Sequence, residues 1–128
     1  MYDMCFACGK NNPISLGLNF ESSGENTVKC DFTPAPVHQG YEGIVHGGIV
    51  STLLDEAMVS AIIEKGVEAV TAELNVRFRQ ESIIGQRLLI EGKISRQKSR
   101  LIFTEARIVD EEGNIKASAS AKFMVLTE

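Results

Sequence analysis

The sequence contains no run of about 20 apolar residues, the length that a membrane-spanning helix requires. Its start, MYDMCFACGK, has neither the basic segment nor the apolar segment of a secretory signal peptide. There is no basic excess, because 13 Lys and Arg are interleaved with 17 Asp and Glu, for a net charge of −4. These absences predict a cytoplasmic protein that binds neither a membrane nor a nucleic acid.

Cysteine is scarce and odd in number, with three in 128 residues. A complete set of disulfides is therefore impossible, which favours a reducing compartment. Cys5 and Cys8 have the spacing of a pair of zinc ligands, but no second cysteine pair or His-x-His cluster follows. The remaining candidate ligands are scattered: Cys30, His38 and His46. We therefore predict no metal and no cofactor, and interpret the Cys5–Cys8 segment as a tight turn.

The chain shows no internal repeat and no low-complexity segment, so its 128 residues predict a single domain over 1–128. Alternating residues between 16 and 34, including Leu16, Leu18 and Phe20, predict two strands joined at SSGEN, 22–26. Segments 86–96, 100–110 and 115–127 predict three more strands, whose short connectors indicate antiparallel hairpins.

Segment 69–79, AVTAELNVRFR, alternates strictly between apolar and polar residues and predicts one further strand. Its predicted apolar face consists of Val70, Ala72, Leu74, Val76 and Phe78. Its predicted polar face consists of Thr71, Glu73, Asn75, Arg77 and Arg79.

A helix is predicted from about Gly48 to Lys65, with Gly66 as its stop. Its apolar residues surround nearly the whole helix, and a helix that is apolar on all sides is buried on all sides. In so short a chain, only a sheet wrapped around the helix, together with a partner subunit, supplies that cover. The predicted class is α+β, with a long central helix against a curved antiparallel sheet of five or six strands.

The predicted helix begins with the residues His46, Gly47 and Gly48. A helix N-terminus presents unpaired backbone N–H groups with a partial positive charge. Because the two glycines lack side chains, a ligand can approach these donors closely, which suits a carbonyl oxygen that becomes negative during attack. The same residues also fit a tight loop that leads into the helix, so this triplet alone leaves both interpretations open.

Asp55 and Glu56 form an acidic pair inside the apolar run. Asp55 has no Lys or Arg within one helical turn, so burial should raise its pKa toward the range of a catalytic base. It also fits a carboxylate at a subunit interface or a solvent-facing notch. Glu56 is a second candidate, for substrate binding. Asp55 lies seven residues, about 10 Å, from Gly48 along the helix, so two antiparallel helices related by a two-fold axis are needed to unite them.

HGGIVSTLLDEA at 46–57 and AVTAELNVRFR at 69–79 resemble the hotdog-fold acyl-CoA thioesterases of the PaaI-like, phenylacetyl-CoA thioesterase type. The start CFACGKNNPISLGLNF is similar to openings in part of that superfamily. The specific motifs lie within residues 38–79, where an acid follows the histidine by nine positions and a threonine follows the acid by sixteen. The resemblance implies a hotdog fold and a homo-oligomer, a dimer or a dimer of dimers, that hydrolyses acyl-CoA.

The resemblance also implies roles for individual residues. Asp55 matches the catalytic carboxylate, which acts as general base on water or as nucleophile. Gly47 and Gly48 match the glycines whose amides polarise the thioester carbonyl, and His46 would orient that loop. Thr71 matches the Ser or Thr that helps to place the attacking water.

The sequence departs from this pattern at Gly40, where many relatives have Asn six positions before the histidine. Gln39 is the candidate to replace that amide in substrate binding. The phosphate end of coenzyme A would require basic residues at the rim of the site, although basic residues near turns also occur simply as solvated side chains. The candidates are Arg77, Arg79, Arg96, Lys98 and Arg100.

Two alternatives use the same fold without catalysis. A non-catalytic acyl-CoA-binding protein would use the His-Gly-Gly segment only to hold its ligand, but a pure binder gains nothing from burying an unpaired carboxylate. A structural dimerisation module explains the apolar helix, but it leaves both the His-Gly-Gly segment and Asp55 without a purpose. The sequence therefore favours a thioester hydrolase.

Overall fold

The computed structural model describes residues 2–126 and contains one long helix and six strands. The elements in chain order are β1 (Glu21–Gly24), β2 (Thr27–Phe32), a short 3-10 helix (Pro36–His38), α1 (Gly47–Ile63), β3 (Ala69–Phe78), β4 (Leu88–Lys98), β5 (Leu101–Asp110) and β6 (Ile115–Val125). The observed helix α1 therefore begins one residue earlier and ends two residues earlier than the helix predicted from the sequence. Gly66, the predicted stop, lies in the following turn with a φ of 78°.

The six strands form one antiparallel sheet in the order β1-β2-β4-β5-β6-β3. α1 contacts β2, β3, β4, β5 and β6, because the sheet curves around it. The hairpins predicted between β4, β5 and β6 are present with antiparallel register. The predicted architecture, a central helix wrapped by a curved antiparallel sheet, is confirmed and is the hotdog fold. β3 lies at one edge of the sheet, paired on one side with β6.

α1 lies directly on β4 at Gly92. A Cβ atom at Gly92 would overlap the backbone carbonyl of Ala57, so only glycine permits this approach of helix and strand. The core around this contact is apolar, and its fully buried side chains include Leu53, Leu54, Met58, Ile90 and Phe123. Within residues 2–126, no helix combines the length and the hydropathy needed to cross a membrane.

One side of α1 remains only partly covered by the chain's own sheet. Ser51, Thr52, Asp55 and Val59 are half-buried, whereas the residues between them are buried. Their spacing places them in one stripe along the helix. We call residues 51, 52, 55 and 59 the half-covered stripe. Along it, a single chain does not provide the burial on all sides that the sequence predicts for the helix.

The first predicted strand is shorter than expected. Leu16, Leu18 and Phe20 lie outside β1, although their alternation predicted a strand. Leu16 and Leu18 are nevertheless buried in the apolar core, and their backbone N–H groups donate to the carbonyls of Phe6 and Ala7 in the N-terminal segment. Alternation here reflects packing of an irregular segment on the core.

β3 departs from strict alternation at a bulge. Thr71 pairs with Phe123 and Glu73 pairs with Lys122, so Ala72 is an extra residue in β3. Thr71 therefore shares the helix-facing side of the sheet with Leu74, whereas the sequence placed it on the opposite, polar face. The predicted position of Val70 was also wrong, since it pairs with Met124 on the outer side and is 49% exposed.

Candidate active site

His46 caps the N-terminus of α1. Its Nδ1 accepts a hydrogen bond of 2.8 Å from the Gly48 N–H, which leaves the proton of the neutral imidazole on Nε2. The N–H groups of Ile49 and Val50 both donate to the His46 carbonyl. Three of the four donors that open a helix are thus used by His46 itself.

Gly47 supplies the remaining donor. Its N–H forms no hydrogen bond with any group in residues 2–126. A cavity of 310 Å³ borders this end of α1, lined by Gly47, Val50, Phe78 and Arg79 among others. A Cβ atom at Gly47 would lie 3.6 Å from the Phe78 ring, an ordinary van der Waals contact. Of the two predicted amides, that of Gly47 is therefore the one available to a carbonyl oxygen in this cavity.

Asp55 lies two turns further along α1, facing β3. Its Oδ1 accepts a hydrogen bond of 2.8 Å from the Thr71 hydroxyl. Burial raises the pKa of Asp55, and the hydrogen bond from Thr71 opposes this rise in part. In the described part of the chain, no Lys or Arg forms an ion pair with Asp55. The arrangement is a partly desolvated carboxylate oriented by one hydroxyl.

Thr71 reaches Asp55 because of the bulge at Ala72. If residues 71–73 alternated regularly, the side chain at position 71 would point to the outer side together with Glu73. The structure therefore brings together Asp55 and Thr71, the two candidates that are sixteen residues apart in the sequence.

Glu56 lies away from this pair. It is 8% exposed and hydrogen-bonds with Cys8 and Ser60. Burial raises the pKa of Glu56, the hydrogen bond from Cys8 lowers it, and the neighbouring charge of Asp55 raises it. Burial also raises the pKa of the Cys8 thiol, as do its hydrogen bond with Cys5 and the charge of Glu56. Glu56 is therefore placed against the N-terminal segment, whereas Asp55 faces β3.

The loop before the helix holds Gln39 and Gly40. The Gln39 side-chain oxygen accepts a hydrogen bond of 2.7 Å from the Gly43 N–H, which closes the loop on itself. A Cβ atom at Gly40 would lie 3.4 Å from His46. Gly40, the position at which the resemblance leads us to expect Asn, therefore lies next to the histidine that caps the helix. Gln39 supports the loop that presents His46, and its oxygen is already engaged there.

The five basic candidates occupy different places. Arg77 pairs with Ser118 on the outer side of β3, and Arg79 lines the cavity at Gly47. At the other end of the sheet, the Arg96 guanidinium lies 3.9 Å from the centre of the Phe103 ring. Further candidates there are Lys98, at the end of β4, and Arg100, which donates to the carbonyls of Val125 and Leu126.

Asp55 and the helix start lie at opposite ends of β3. Asp55 contacts Thr71 near the start of β3, whereas Gly47 adjoins Phe78 at its end. Gly47 and Asp55 are eight residues apart, about 12 Å along the helix axis. A single chain therefore does not bring the free amide and the carboxylate to one carbonyl group. Phe78 was predicted as an apolar strand residue whose packing affects the size of the pocket, but its place beside the start of the helix was not evident from the sequence.

Comparison with known proteins places the chain in a family. The Thioesterase superfamily profile matches residues 42–117. The acyl-coenzyme A thioesterase THEM4 of Xenopus laevis is 26% identical over 108 residues, which cover 84% of this chain and 49% of that protein. This chain thus spans about half the length of that relative.

Solved structures share the fold. A hypothetical thioesterase from Streptococcus pneumoniae, solved with coenzyme A, has a TM-score of 0.81 at 21% identity and covers 87% of this chain and 87% of its own. The E. coli PaaI protein, from the phenylacetic acid degradation operon, has a TM-score of 0.79 at 21% identity, over 85% of this chain and 83% of its own. With the family profile matching more than half of its residues, this chain belongs to the thioesterase superfamily.

Proposed function

We propose that the protein hydrolyses an acyl-CoA thioester to a free acid and coenzyme A. The observation that carries this proposal is the contact between Asp55 and Thr71. There a hydroxyl orients a half-buried carboxylate that has no basic partner within residues 2–126. Membership of the thioesterase superfamily supports this reaction class, as do relatives named acyl-coenzyme A thioesterases and a similar structure solved with coenzyme A.

In this proposal each active site draws on two chains. Three features support a partner: the separation of Gly47 from Asp55, the half-covered stripe on α1, and the free edge of β3. An unpaired edge of ten residues is a ready template for another strand. If two β3 strands pair antiparallel near their centres, a two-fold axis brings Thr71 of one chain toward Phe78 and Gly47 of the other.

The proposed chemistry uses the Gly47 amide of one chain and the Asp55 carboxylate of its partner. The Gly47 N–H donates to the thioester oxygen and stabilises the negative charge that develops there. As general base, Asp55 takes a proton from a water molecule while the water oxygen bonds to the carbonyl carbon. The C–S bond then breaks, and the coenzyme A thiolate leaves and takes up a proton. As nucleophile, Asp55 would instead bond to the carbonyl carbon and expel the coenzyme A thiolate. Water would then cleave the resulting anhydride, which releases the acid and regenerates the Asp55 carboxylate.

The test is release of free thiol from a panel of acyl-CoAs with short, long and aromatic acyl groups. We expect turnover of at least one member, and a loss of more than about 100-fold in the Asp55→Asn variant, which keeps the size of the side chain but removes the base. Asp31→Asn is the matched control, because Asp31 is an exposed carboxylate paired with Arg87 and should leave the rate unchanged. Saturable binding without turnover would favour the non-catalytic acyl-CoA binder, and a near-normal rate in Asp55→Asn would exclude Asp55 as the base.

A further inference from the structure

The N-terminal segment brings two thiols to the helix that carries the active-site acid. Cys5 Sγ, Cys8 Sγ and a carboxylate oxygen of Glu56 all lie within 4.8 Å of one another. We propose that these three side chains form a site for one thiolate-preferring divalent cation, of which Zn²⁺ is the type. The sequence spacing pointed only to the two cysteines, because the third ligand lies 48 residues beyond Cys8 on α1.

The distances suit a tetrahedral ion after small side-chain movements. With Zn–S of about 2.3 Å and Zn–O of about 2.0–2.2 Å, ligand atoms around such an ion lie about 3.6–3.8 Å apart. The observed limit of 4.8 Å exceeds this by about one ångström, which rotation of the side chains can close. Three protein ligands leave one coordination position, which water can occupy.

The loop that presents the thiols is fixed by its backbone. The Gly9 N–H donates 2.8 Å to the Cys5 carbonyl, which closes one turn around the two cysteines. A Cβ atom at Gly9 would overlap the carbonyl of Asp3, so this turn requires glycine. The N–H groups of Leu16 and Leu18 tie Phe6 and Ala7 to the core on either side. The two thiols are therefore held against α1 rather than presented on a loose terminus.

The charge of Glu56 supports a cation at this place. Glu56 is 8% exposed, in a helix that is otherwise apolar along its buried sides. No Lys or Arg between residues 2 and 126 forms an ion pair with it. A buried carboxylate is costly unless it is paired or coordinates a metal. Two cysteine sulfurs beside a carboxylate select a soft or borderline ion over Mg²⁺ or Ca²⁺, which prefer oxygen ligands.

The test uses Co²⁺ and then Zn²⁺ as probes, added to untagged, metal-free protein whose three thiols have been counted as free under reductant. We expect a thiolate-to-cobalt charge-transfer band that saturates at one equivalent per chain and disappears when one equivalent of Zn²⁺ is added. Cys5→Ser and Cys8→Ser should each weaken binding by at least about 100-fold, since loss of outer-shell partners alone costs about 10–100-fold. Glu56→Gln should weaken binding while the charge-transfer band persists.

Cys30→Ser is the matched control, because Cys30 is a buried thiol in β2, outside the three-residue cluster. It should bind Co²⁺ as the native chain does. X-ray absorption of the zinc-loaded native protein needs no variant, and should show two sulfur ligands at about 2.3 Å. The proposal is overturned if the native chain with free thiols gives no charge-transfer band, if the absorption shows no sulfur, or if Cys8→Ser binds as tightly as Cys30→Ser. None of these measurements depends on thioesterase activity. The metal-site proposal and the proposed function can therefore be refuted independently of each other.

Discussion

A pair of inactive variants tests whether each active site is shared between two chains. Gly47→Pro removes the one N–H at the start of α1 that has no partner within residues 2–126. The backbone accepts this change, because Gly47 is the first helical residue and His46 has φ −58° and ψ 136°, a conformation that suits a residue before proline. Asp55→Asn removes the carboxylate. Each variant alone should be inactive and folded.

The expected result follows from the separation of Gly47 and Asp55, about 12 Å along one helix axis. Unfolding the two variants and refolding them together should give mixed dimers as about half of all dimers. In a mixed dimer with shared sites, one site collects both lesions and the other collects neither. The mixture should therefore regain about a quarter of the native activity, although both parents are inactive.

The assay is thiol release from the best acyl-CoA of the panel, with the fraction of mixed dimers measured by native mass spectrometry. Gly47→Ala serves as control, because it keeps the N–H and its Cβ would meet the Phe78 ring at 3.6 Å. That variant should stay active alone. If mixed dimers form and activity stays at the level of the parents, each site lies within one chain and the shared-site argument is refuted.

Three further changes test individual contacts. Thr71→Val should slow turnover about 10–100-fold, because a hydrogen bond to a charged group such as Asp55 is worth about 1.5–3 kcal/mol. Thr71→Ser keeps the hydroxyl and should have a mild effect. Equal rates in the two variants would show that the hydroxyl has no part in the mechanism. Gly92→Ala should lower the free energy of unfolding by about 1–3 kcal/mol in urea titrations, since its Cβ overlaps the Ala57 carbonyl, and an unchanged midpoint would contradict that packing. If the exposed Lys98 side chain contacts the phosphates of coenzyme A, Lys98→Gln should raise KM by up to about 5-fold and leave kcat unchanged. An unaltered KM would place Lys98 outside the binding site.

The sequence predicted the architecture because the signals involved are long and regular. The apolar run of α1 extends over four turns, so the helix and its burial were evident despite small errors at its ends. The hairpins of β4, β5 and β6 were equally clear, because short polar connectors separate long apolar segments. Such patterns accumulate over ten or more residues, and one irregular residue does not obscure them.

The details of the candidate site depend on single residues and were harder to predict. Both glycine amides were expected to be available, but the Gly48 N–H is already bonded to the imidazole of His46. Histidine is an uncommon helix cap, so nothing in the spacing indicated this contact. The approach of Cys8 to Glu56 depends on how an irregular segment folds back over α1, which no periodicity reports.

The extra residue in β3 changes which positions of the strand face the helix. Residues before Ala72 point to the helix at odd positions, and residues after it point there at even positions, as Thr71 and Leu74 show. Deleting Ala72 would restore regular alternation, with Thr71 still paired with Phe123 and Glu73 with Lys122, so Thr71 and Leu74 would both still face the helix. A comparison of this chain with a relative that lacks the extra residue must therefore place a one-residue gap at Ala72. Otherwise it will align Thr71 with a side chain on the wrong side of the sheet.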